Sequence, residues 1–167
     1  SMAVDELVRS VFALLTEDCD VGLLLKHAVT QANTAVYQAG RLPGNIGMGT
    51  TLTAALVVGP RLYVANVGDS RCYLSKNGFL RQITEDHSFV ASKMRSGELT
   101  IEEARIHPYR NIVTRAIGLE PTVGIDIFSE SLSVEDRILL CSDGLYGLVA
   151  EGDIEKILQV NKPSLAC

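Results

Sequence analysis

No apolar run in the 167 residues approaches the roughly 18 to 20 needed to cross a bilayer, so no membrane span is expected. The N-terminus has no basic stretch leading into an apolar block and a small-residue cleavage site, and the expected location is cytoplasmic. Excess positive charge is missing too: fifteen Lys and Arg stand against twenty Asp and Glu, a net charge of −5. Without a basic stripe the chain cannot neutralise a phosphate backbone, so nucleic acid is not an expected partner. The four cysteines, Cys19, Cys72, Cys141 and Cys167, include no C-x-x-C pair. Neither a zinc knuckle nor a disulfide framework is therefore signalled, and Cys72 and Cys141 read as core thiols. Low complexity, internal repeats and linkers are absent as well.

What the chain does have is 47% hydrophobic residues, enough for one well-packed domain. Over 2–16, Val4, Leu7, Val8, Val11, Phe12 and Leu15 recur at the spacing of one helical face. Asp20 can cap a second helix whose stripe runs from Leu24 through Ala28 and Val36 to Ala39, where Gly40 and Pro43 end it. The texture then changes to extended runs at 51–58, 62–67 and 71–75, joined by short glycine-bearing turns, with Asn77-Gly78 marking a type I′ hairpin. Connections this short make neighbouring strands antiparallel and exclude a Rossmann sheet. A small, mobile, helical insert is expected at about 88–111, with Thr100 and Glu103 spaced as a capping box. Strands at 123–128 and 137–142 and a helix at 153–160 complete an α+β layered domain.

Two acidic residues sit in glycine-bearing turns at the ends of apolar strands: Asp69 in Gly68-Asp69-Ser70-Arg71 and Asp143 in Ser142-Asp143-Gly144. Strand ends hold carboxylates rigidly, and hard cations such as Mg²⁺ or Mn²⁺ take oxygen ligands of this kind. Taken singly, an Asp in such a turn is more often there to accept its own backbone N–H, so the residues alone favour a structural role over a ligand role. His87 can serve as a proton donor or as a loop-entry residue that, with Asp86 and Ser88, hydrogen-bonds the backbone. His27 and His107 read as surface residues. Gly47-Met48-Gly49-Thr50-Thr51 leads into a strand and lacks the Lys of a phosphate loop, and no G-x-S-x-G occurs. Nucleotide binding and side-chain nucleophilic hydrolysis are thereby excluded.

Taken in order, five segments resemble the metal-dependent, type 2C serine/threonine protein phosphatases. They are Gly49-Thr50-Thr51, the run Ala65 to Arg71, Thr84 with Asp86-His87-Ser88, Thr114-Arg115-Ala116-Ile117-Gly118, and the run Leu139 to Leu145. The insert, with Glu102-Glu103-Ala104-Arg105 and His107-Pro108, is similar to the flap of the bacterial members. The resemblance implies a four-layer α-β-β-α sandwich of antiparallel sheets flanked by helices. It also implies hydrolysis of phosphoserine and phosphothreonine by a water shared between two Mn²⁺ or Mg²⁺ ions. On this pattern Asp143 matches a ligand of the metal pair and Asp69 a residue linked to a third, weaker ion. Expected partners are phosphorylated proteins, a serine/threonine kinase among them.

The family's upstream Arg, acidic ligand and Asp-Gly-x-Gly-Gly turn have no counterpart in the sequence, nor has its downstream Asp-Asn pair. The expectation is a single domain over 1–167, incomplete at both ends, that binds the metal pair weakly and turns over little substrate alone. Uncovered sheet edges would then favour a homodimer. Two alternatives stand beside this reading: a non-catalytic, phosphatase-like binding module, and a sporulation or stress-type regulatory phosphatase acting on an anti-sigma antagonist. The match around His87 and Arg115 favours the kinase-opposing enzyme over the latter.

Overall fold

Helix α1 (Met2–Leu14) and helix α2 (Val21–Ala39) pack against one another, and α2 lies across the first sheet. The computed structural model describes residues 1–16 and 18–160; Cys167 lies outside the described residues. Asp20 accepts from the Leu23 N–H and so caps α2. In α1 the buried stripe is narrower than its sequence suggests. Ala3, Leu7 and Val11 meet the core, whereas Val4, Val8, Phe12 and Leu15 face outward, because α2 covers only one side of the helix.

Strands β1 (Leu52–Val58), β2 (Arg61–Val67), β3 (Arg71–Lys76) and β4 (Phe79–Gln82) follow as an antiparallel meander, but it is split between two sheets. One sheet has the order β1-β2-β5, with β5 (Asp126–Ser131). The other has the order β4-β3-β6, with β6 (Arg137–Cys141). β2 is buried on both faces: Ala65 and Val67 pack toward the helices, and Leu62 and Val64 pack between the sheets against Cys72, Leu74 and Ile83. That alternation is what stacks the layers. Helix α6 (Glu151–Val160) covers the far side of the second sheet, where Glu155 accepts from the Leu80 N–H and Tyr73 donates to Glu151. The result is the α-β-β-α sandwich.

Between β4 and β5 lie α3 (Phe89–Arg95) and α4 (Ile101–Ile106), the expected insert. Ser88 caps α3, and the Thr100–Glu103 capping box is formed in both directions. His107 is no bare surface residue; its ring sits 5.5 Å from that of Phe89 and 5.6 Å from that of Tyr109. Three boundaries shift. β5 starts at Asp126 and not at 123, because its register is set by pairing of Asp126 with Asn66, while Val123 and Ile125 pack on the core without pairing. β6 ends at Cys141, since Ser142 opens the one-turn helix α5 (Asp143–Tyr146), and α6 starts at Glu151. Cys72 is fully buried as expected; Cys141, on the edge strand β6, is only half-buried.

Candidate active site

β3 and β6 are paired with Arg71 opposite Cys141. Asp69 lies two residues before β3 and Asp143 two residues after β6, so the two turns singled out in the sequence converge at one end of the second sheet, close enough for the two charges to interact. Asp69 is half-buried in the turn after β2, and Asp143 is exposed at the first position of α5. Gly68 makes the first turn possible: its φ is +114°, and a Cβ there would collide with the Thr51 side chain.

Burial pushes the Asp69 carboxyl above its ordinary range, and the charges of Asp143 and Asp86 add to this against the lowering effect of its backbone hydrogen bond. The Arg71 charge offsets this only in small part, being the least of these influences. Arg71 Nη2 lies 2.7 Å from Asp86 Oδ2 and its Nε 3.0 Å from Oδ1, a bidentate pair. Its Nη1 donates to the Tyr73 hydroxyl at 2.8 Å. Burial works against the Arg71 charge, yet Asp86 holds its pKa above the usual value. Asp69 and Asp143 are thus neighbouring oxygen donors whose charges repel, and the one cation that acts on Asp69, Arg71, is hydrogen-bonded to Asp86 and not to either of them, which fits one part of a site for a hard divalent cation. Among the described residues no group of three or more His, Cys, Asp or Glu side chains is arranged to hold a metal ion.

A buried polar scaffold fixes these turns. Asn66 donates to the carbonyls of Gly68 and Glu85 and accepts from Thr53 Oγ1 at 2.6 Å. The Gly68 N–H donates to His87 Nδ1 at 3.0 Å, and the His87 N–H returns a bond to the Gly68 carbonyl. With Nδ1 accepting, the imidazole proton sits on Nε2 and points to Asp126 Oδ2 at 2.9 Å, while Arg115 Nη1 reaches Asp126 Oδ1 at the same distance. His87 is therefore a scaffold residue here, nearly inaccessible at 3% exposure. On the other side of the first sheet, Asn33 of α2 accepts from the Gly118 N–H and donates to the carbonyls of Glu120 and Pro121.

Of the residues marked in the sequence, Asp69, Asp143 and Arg71 come together, and His87 and Arg115 meet beside Asp126, behind the Gly68 turn. Asn33, Asn66, Asp126 and Tyr146 were not singled out as site residues. Asn66 lies inside a motif that was, but nothing in the spacing marks the other three.

Residues 10–118 match the family described as Protein phosphatase 2C. The chain is 43% identical over 153 residues to the serine/threonine phosphatase stp of Listeria monocytogenes, covering 90% of this chain and 60% of that relative. It thus spans less than two thirds of that relative's length. Among solved structures it resembles the serine/threonine phosphatase Stp1 of Staphylococcus aureus, with a TM-score of 0.88, 35% identity, and coverage of 98% of this chain and 65% of that one. It also resembles the catalytic domain of PstP solved in complex with two manganese ions, with a TM-score of 0.79, 35% identity, and coverage of 95% and 67%.

Proposed function

The chain belongs to the protein phosphatase 2C family, and from that premise we propose that it forms one domain of a metal-dependent protein phosphatase acting on phosphoserine and phosphothreonine. The observation that supports the reading is the convergence of the Asp69 and Asp143 turns at one end of the paired strands β3 and β6. Asp143 is assigned as a ligand of the metal pair and Asp69 as a ligand of a further, weaker ion. Bound Mn²⁺ or Mg²⁺ would supply the Lewis acidity that makes a water nucleophilic toward a phosphomonoester at neutral pH. The chain's own part is to present the two carboxylates from rigid strand ends. Arg71 does not hold the phosphate, because its donors face Asp86 and Tyr73. Two dications roughly 3.5 to 4 Å apart need several carboxylates, so additional ligands complete the site.

The substrates assigned on this reading are phosphorylated proteins in the cytoplasm, serine/threonine kinases included, with the insert at 88–111 steering their choice. The outer strands β1, β5, β4 and β6 offer edges for a homodimer. The test is Mn²⁺-dependent phosphate release from a phosphothreonine peptide by a full-length phosphatase carrying these residues, compared with its Asp143→Asn variant and with excess chelator. Activity should vanish in both controls; wild-type turnover by a metal-loaded Asp143→Asn protein would sink the assignment.

A further inference from the structure

Helix α5 carries Asp143 but has little to hold it in place. It is four residues long, its N-cap Ser142 makes no side-chain capping bond, and none of its residues is buried. A helix of one turn is not stable by itself, so its position has to come from tertiary contacts. Tyr146 supplies them. Its hydroxyl donates to the Asp69 carbonyl oxygen at 2.8 Å, and its ring lies under the Arg71 guanidinium, 3.7 Å from Cζ to the ring centroid. Arg71 is itself immobilised by the bidentate bond to Asp86 and the bond to Tyr73, so the ring rests on a fixed plate. Asp143 and Tyr146 are three residues apart, one turn along the same side of α5. One side chain therefore ties the short helix bearing one carboxylate to the backbone of the turn bearing the other.

Resting on the metal-site reading of these carboxylates, we propose that Tyr146 is a positioning residue that sets Asp143 across from Asp69. The hydroxyl and the ring divide the work. The O–H bond fixes the separation of the two turns, and the ring contact with Arg71 fixes the side of the sheet on which α5 lies. Tyr146 touches no reacting atom, because its hydroxyl hydrogen is engaged by a main-chain carbonyl.

The experiment compares the wild-type chain with Tyr146→Phe, which keeps the ring and loses the hydroxyl, and Tyr146→Leu, which loses both. Asp143→Asn is the control. Mn²⁺ alone is the probe, its binding followed by water-proton relaxation, and amide hydrogen exchange at Leu145 and Gly147 is followed without metal. Tyr146→Phe should bind Mn²⁺ about tenfold more weakly, the size of one lost hydrogen bond, with an unchanged melting temperature. Exchange at Leu145 and Gly147, whose N–H groups bond Ser142 and Asp143, should quicken. Tyr146→Leu should lose more on both counts, and if it fails to fold, Tyr146→Phe decides. A purely packing role would leave Mn²⁺ affinity untouched at constant melting temperature. Wild-type affinity and exchange in Tyr146→Phe, alongside weakened binding in Asp143→Asn, would overturn the proposal while sparing the metal site. If Asp143→Asn binds as wild type does, the metal reading fails at this chain; if wild type itself shows no binding, affinity needs the additional ligands and the metal reading stands. Exchange then decides alone: unchanged protection in Tyr146→Phe overturns the positioning role, and lost protection upholds it.

Discussion

Asp126 accepts from His87 on one oxygen and from Arg115 on the other, both at 2.9 Å, and so anchors the imidazole that clasps the Gly68 turn. Burial raises its carboxyl, but the hydrogen bonds from His87 and Arg115 and the charge of Arg115 prevail and hold it below the ordinary 3.8. A folded-state value below the unfolded one means stability that is fully present above the unfolded value and is lost as pH falls through the folded one. Asp126→Asn should therefore lower the melting temperature at neutral pH, and the gap to wild type should narrow as the buffer is acidified below about 3.8. A gap that stays constant across that range would mean that the charge contributes nothing. At this scale the sequence is legible where a residue carries its own local signal. Asp69 and Asp143 announce themselves by glycine-bearing turns at strand ends. Asp126 has no such mark, since its partners stand 39 and 11 residues away and only the fold introduces them.

Element α4 shows how local signals act where packing is thin. Of its six residues only Ala104 is buried, so the capping box has to supply much of what keeps it wound. Thr100→Ala removes the acceptor for the Glu103 N–H and one of the two donors to the Glu103 carboxylate. The expected cost is about 1 kcal/mol, read as faster amide exchange across α4 with the global melting temperature almost unchanged. Loss of protection in the sheets as well would show that the insert is coupled to the core. This helix was readable because Thr100 and Glu103 lie three apart, and the β3–β4 hairpin because Asn77 and Gly78 suit the left-handed turn they adopt, with φ of 53° and 83°. α5 was not readable, because four residues contain no period. The apolar residues before β5 misled for a physical reason: Val123 and Ile125 alternate as a strand would, yet they bury against the core without a pairing partner.

Across the whole molecule, the layering follows from composition and alternation, but strand partners do not. β5 pairs with β2 and β6 with β3 over separations that no local pattern encodes, and the second of these pairings brings the Asp69 and Asp143 turns to one end of the sheet. The same convergence concentrates negative charge, with Asp86 nearby and Arg71 already committed to it. In the absence of cations, then, folding must bring like charges together and half-bury one of them, which disfavours the ionised Asp69. Asp69→Asn removes that repulsion while keeping the size of the side chain. In chelator at neutral pH the variant should therefore melt above wild type. Added Mn²⁺ should reverse the order, since a ligand bound only by the folded state stabilises it by RT times the logarithm of one plus the ratio of free ligand concentration to Kd, and the variant has lost a donor. Melting curves in chelator and across a Mn²⁺ series check both halves. A variant less stable than wild type in chelator would mean that the Asp69 carboxylate is structural, held by its turn, and that its charge is not kept for a cation.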